Sequence, residues 1–99
     1  MAYRLTRKAA DDITAIYIEG AVRFGDVQAT RYHALLQSAF ELIAANPYLA
    51  RERTELSPPV RVHPVQSHLV IYAADDNRDV LIIRVRHGHE DWKQNPSGE

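Results

Sequence analysis

Ninety-nine residues, 45% hydrophobic and 25% charged, have the size of one domain and the balance of a folded chain, which excludes two independent cores and a disordered coil. A formal charge of −1 argues against a surface built for broad phosphate contact, and the absence of cysteine excludes disulfides and thiolate chemistry. No apolar run approaches the ~20 residues that span a bilayer, and residues 1–10, with Arg4, Arg7 and Lys8, lack the apolar core of a secretory leader, so the expected compartment is the cytoplasm with no membrane partner. Ten of the twelve basic residues are arginine, which favours fixed, bidentate contacts and so suits a partner with acidic side chains.

In chain order, Tyr3–Leu5 alternates and predicts a first strand. Thr6 then caps a helix whose positive end carries Asp11 and Asp12, and Ile13, Ile16, Tyr17, Gly20 and Phe24 follow at helical spacing. Gly25 is the predicted stop, and Asp26 the predicted cap of the next helix. That helix presents Tyr32, Leu35, Leu36, Ala39, Phe40 and Ile43 as one stripe and ends at Asn46-Pro47. So short a connection predicts an antiparallel helical hairpin. Residues 49–59 read as a loop, with Arg51, Glu52, Arg53 and Glu55 of mixed sign. Three strands follow at 60–65, 68–74 and 80–87, with turns short enough for antiparallel pairing. The tail 88–99 holds Trp92 and then Asn95-Pro96-Ser97-Gly98, a frayed and partly flexible ending. The expected fold is α+β in a single domain, 1–99: an N-terminal strand, an antiparallel helical hairpin, then a three-stranded antiparallel meander completing the sheet.

A sheet covered on one face should alternate apolar and polar residues, and the last two strands do not. Leu69, Ile71 and Ala73 oppose Val70, Tyr72 and Ala74; Leu81, Ile83 and Val85 oppose Val80 and Ile82. Two helices cannot cover both faces. Either the tail folds back and Trp92 fills the gap, or the second face is a groove for another chain. The second reading is preferred, because contiguous exposed apolar surface marks interaction sites. Strict alternation sets Arg84 and Arg86 in phase with Ile82, giving an apolar groove edged by cations that would receive an acidic, amphipathic segment.

Chemistry is thinly signalled. His87-x-His89 with Glu90 and Asp91 is a weak metal pattern, since zinc needs three or four converging ligands, and no metal or other cofactor is expected. His87 reads as a packed histidine, and His63 and His68, flanking a turn, as solvated. Arg51, Arg53, Glu55, Arg61 and His87 could in principle surround a phosphodiester, with His moving protons and Arg holding the developing charge. Charged pairs such as Arg51–Glu55 are more often a solvated loop. No nucleophile elbow, Walker motif or phosphate loop is present.

Several stretches taken together resemble a known family. They are Ala9-Ala10-Asp11-Asp12-Ile13, Arg23-Phe24-Gly25, Ala29-x-x-Tyr32, Phe40-x-x-Ile43-x-x-Asn46-Pro47, Arg51-x-Arg53-x-Glu55-Leu56, Val60-Arg61, His68-Leu69-Val70-Ile71-Tyr72 and Ile83-Arg84-Val85-Arg86-His87-Gly88-x-x-Asp91-Trp92. In order and spacing, from Tyr3 to Trp92, they resemble toxins of the ParE family within the RelE/ParE superfamily. The resemblance implies a RelE/ParE-like fold and the toxin of a type II toxin–antitoxin pair. It implies a ParD-like antitoxin whose C-terminal segment wraps and neutralises the toxin, and growth arrest through inhibition of DNA gyrase by protein–protein binding, with no direct nucleic-acid contact and no enzymatic step. The related RelE branch cleaves mRNA on the ribosome, and Arg61 and His87 fall roughly where its nuclease residues lie. The RelE branch is strongly basic, whereas this chain is near neutral. Partner contacts are accordingly expected at Arg61, Val70, Tyr72, Ile82, Arg84, Arg86 and Trp92.

Overall fold

A computed structural model describes residues 3–88, 92–94 and 96. It contains β1 (Tyr3–Leu5), α1 (Arg7–Phe24), α2 (Asp26–Ala45), β2 (Arg61–Val65), β3 (His68–Ala74), β4 (Val80–His87) and a 3-10 turn at Trp92–Gln94. The strands form one sheet in the order β1-β4-β3-β2. β2, β3 and β4 are an antiparallel meander, and β1 lies parallel to β4, with Tyr3, Arg4 and Leu5 beside Val80, Leu81 and Ile82. The expected α+β plan is the one observed.

Thr6 does two jobs at the join of sheet and helix. Its hydroxyl accepts from the Ala9 amide at 3.0 Å, capping α1, and donates to the Ile83 carbonyl at 2.6 Å. Its own N–H donates to Ile82 at 3.0 Å. At the other end Gly25, with φ 90° and ψ 164°, closes α1 through its N–H to Ala21 and also opens α2. Asp26 therefore lies in the first turn of α2 and is not its cap, a correction of one residue.

The hairpin covers one face of the sheet. Leu36, Phe40 and Ile43 of α2 pack with Val70, Tyr72, Val80, Ile82 and Val85, and Ala9 is the one fully buried residue of α1. Across the sheet a second, smaller cluster holds Val60, Ile71 and Trp92, with Leu56, Val62, Leu69 and Ile83 against it. Strict alternation fails in β4. Ile71 stands opposite Arg84 but Tyr72 opposite Ile82, so Ile83 is an extra residue, a β-bulge. It brings Val85, 3% exposed, into the main core with Ile82. The phase that predicted Arg84 on the Ile82 face is broken at that point.

Candidate functional site

The residues expected to form a partner groove do not share a surface. Val70, Tyr72 and Ile82 are each fully buried, beneath the hairpin and not on the open face. Tyr72 ties the fold internally: its hydroxyl donates to the Pro47 carbonyl at 3.1 Å and accepts from the Ala50 amide at 3.3 Å. Trp92, 5% exposed, sits on Val60 and Ile71 with the Arg53 guanidinium 5.6 Å above its ring. The second apolar face thus carries the chain's own Trp92 and Leu56, which removes the groove that two greasy faces suggested.

The arginines are engaged within the chain. Arg84 grips Asp12 of α1 through two bonds, Nε to Oδ2 at 2.7 Å and Nη2 to Oδ1 at 2.8 Å. Arg61 donates to the Ala50 carbonyl at 2.6 Å and lies 5.0 Å from the centre of the Tyr48 ring, and Arg78 lies 5.4 Å from the same ring. Arg86 is half-buried opposite Leu69.

Arg61 and His87 do not converge on a scissile bond. Arg61 pairs with Tyr72 and His87 with His68, on opposite sides of β3. Those positions are four residues apart along β3, roughly 13 Å. The Arg51–Glu55–Arg53 group is a loop staple, with Arg53 Nε 2.8 Å and Arg51 Nη2 3.5 Å from Glu55 Oε2. Chiefly through the Arg53 hydrogen bond, the Glu55 carboxyl is held down to about 2. His89, Glu90 and Asp91 of the weak metal pattern, and Asn95 and Ser97–Glu99 of the expected frayed ending, lie outside the described residues.

The most exposed large apolar side chains stand toward the turn end of the hairpin. Ile18, Val22, Phe24 and Val27 are 57%, 81%, 69% and 69% exposed. Phe24 was expected to continue the core row and instead faces outward. Below this tip, between the hairpin and the far end of the sheet, lies a cleft of about 350 Å³. Its apolar wall is Ile13, Ile16, Phe24 and Leu36, and its polar edge includes Arg23, His33, His68 and His87.

His63 and His68, expected to be solvated beside the turn, are half-buried. His68 Nδ1 lies 2.6 Å from the Tyr32 hydroxyl, which also donates to the Val65 carbonyl at 3.2 Å. The His68 and His87 rings meet edge to face with centres 5.3 Å apart. His63 is half-buried, and burial pushes its imidazole below the ordinary value. The Tyr32–His68 contact joins residues 36 apart and has no local signature. The exposed tip did have one: Ile18 and Val22, four apart, lie out of phase with the Ile13, Ile16 and Gly20 row.

Comparison with known proteins agrees with this architecture. A family model described as "ParE toxin of type II toxin-antitoxin system, parDE" matches residues 3–92. The chain is 35% identical over 85 residues to Toxin ParE1 of Caulobacter vibrioides, covering 86% of each chain. It is 33% identical over 73 residues to Toxin ParE1 of Mycobacterium tuberculosis, covering 74% of each. In three dimensions it is similar to a chain from a chromosomal ParDE TA system of P. aeruginosa, with a TM-score of 0.74 over 88% of this chain and 95% of that one; at 21% identity this likeness bears on the fold. The sheet order, the helical hairpin and a match running from β1 to Trp92 make this chain a member of the ParE family of toxins of type II toxin–antitoxin systems.

Proposed function

We propose that this toxin is neutralised by a ParD-like antitoxin and arrests growth by binding DNA gyrase, without a catalytic step of its own. The observation that carries the reading is the distribution of surface. Large apolar side chains at the hairpin tip stand in water in the isolated chain, whereas Arg61 and His87 are held apart by the sheet. Exposed apolar residues of this kind favour association with another protein. The family's description as the toxin of a type II toxin-antitoxin system, parDE, supports an antitoxin partner, and the target is what the sequence resemblance implies.

The test is a supercoiling assay with purified gyrase and the full chain, alongside cell-free translation. Supercoiling should be inhibited, the inhibition should be relieved by the cognate ParD-like antitoxin, and translation should continue. Arrest of translation with supercoiling intact would overturn the target in favour of RNA cleavage.

A further inference from the structure

The outward ridge of α1 is not that of a solvated helix. Asp11, Ala15, Ile18 and Val22 recur at spacings of four, three and four, and all are exposed, while Ala9, Ile13 and Ile16 take the inward face. Ile18 and Val22 are 57% and 81% exposed and belong to neither core cluster. Both are β-branched, so they also weaken the helix that carries them. Phe24 and Val27, each 69% exposed, continue the apolar surface around the turn. Beside the ridge, Glu19 and Arg23 pair at 3.3 Å with side chains 65% and 66% exposed.

We propose that α1 packs antiparallel, ridge to ridge, on α1 of a second copy of this chain, burying Ile18 and Val22 in a weak symmetric dimer that hides the hairpin tip. Charge selects this occupant. A two-fold axis across the helix reverses its direction, so an acid and a base one turn apart become their own complement. With the axis beside Gly20 and Ala21, Ile18 meets the partner's Val22 and Glu19 meets the partner's Arg23, each contact made twice. Ala15 falls near the partner's Gly25, and neither side chain holds the two backbones apart. A strongly acidic or strongly basic partner would set its own sign against Glu19 or Arg23, whereas a second copy satisfies both.

Size sets the strength. A stable complex buries about 800 Å² on each partner. One phenylalanine and three aliphatic side chains, already part-covered, supply less than that, so the copies separate on dilution. Ordering the long Glu19 and Arg23 side chains lowers the affinity further. The dimer covers the same apolar tip that a target would grip, so self-association and target binding exclude one another. That consequence rests on the function proposed above, and the dimer itself does not.

Sedimentation velocity of the full chain, from roughly micromolar to roughly millimolar concentration, tests this. The wild-type coefficient should climb with concentration toward that of a dimer. Val22→Glu, at a position already exposed, should abolish the climb. Glu19→Lys and Arg23→Glu should each weaken the dimer by about tenfold or more, because like charges then face each other twice across the axis. The double variant Glu19→Lys/Arg23→Glu reverses the pattern but keeps it self-complementary, and should return to within about threefold of the wild type. Circular dichroism melts establish that every variant is folded. A wild type that stays monomeric throughout would overturn the proposal, as would a dimer indifferent to Val22→Glu. Single variants that dissociate without rescue in the double would overturn the antiparallel register.

Discussion

Asp12 holds α1 to the part of β4 that β1 is too short to reach. β1 ends beside Ile82, and beyond it the Val85 amide finds its acceptor in Asp12 Oδ2 at 3.0 Å. The same carboxylate takes both bonds from Arg84, and each side chain of the pair is only 16% exposed. Asp12→Ala takes from Arg84 its two-bonded carboxylate where little water can replace it and takes from the Val85 amide its acceptor, so it should cost roughly 2–4 kcal/mol. Arg23→Ala, which breaks an ion pair with both side chains about two-thirds exposed, should cost well under ~1 kcal/mol. Urea denaturation of the two variants side by side reads the difference; similar midpoints would mean that Asp12 and Arg84 are effectively solvated. His63 supplies a pH dependence. Burial lowers its folded-state pKa beneath the ordinary 6.5. The unfolded chain therefore takes up the proton first as pH drops. The contribution is intact above about 6.5 and is lost as pH falls toward the lowered folded value. His63→Gln should flatten the stability curve across that window, and a wild-type curve parallel to the variant's would exclude the effect.

Between the two helices, the hairpin depends on a backbone conformation that L-residues avoid. Gly25 combines φ 90° with ψ 164°, and no heavy atom would lie within 4 Å of a Cβ placed there. The whole cost of Gly25→Ala is thus backbone strain, about 1–3 kcal/mol, with no steric clash to add to it. A semisynthetic chain with D-alanine at this position should recover most of the loss in thermal melts; equal loss with either hand would mean that the strain lies elsewhere. Local features of this kind were legible in the sequence: the Thr6 cap, the Gly25 stop, and the ends of β3 and β4 all depend on residues a few positions apart. Which face each β4 residue takes was not. A single extra residue, Ile83, shifts the phase between Ile82 and Val85, and its place is set by Ile71 on the neighbouring strand. Alternation read along one strand carries no trace of that. Alternation also does not say which face of the sheet the helices take, which is why Val70, Tyr72 and Ile82 lie beneath the hairpin, and the Tyr32–His68 and Asp12–Arg84 contacts, 36 and 72 residues apart, were equally out of reach.

On the scale of the whole molecule, the excess of apolar sheet surface read from the sequence is real, and the chain meets it with its own residues. A small domain buries a modest share of its surface, so each covering side chain counts. Trp92 covers Val60 and Ile71, which are 1% and 0% exposed beneath it, and sits across the sheet from the hairpin and its cleft. Deleting so large a buried ring typically costs about 3–5 kcal/mol, a large fraction of the stability a chain of this size holds. Trp92→Ala should accordingly lower the urea midpoint sharply and bind a hydrophobic dye through the uncovered face. Partner binding offers the contrast. At a temperature where the variant remains folded, antitoxin affinity should match the wild type if the partner takes the exposed hairpin tip, which lies on the other side of the sheet. A loss of affinity in the folded variant, with stability little changed, would instead make Trp92 a contact for the partner and return the second face of the sheet to the role of a docking surface.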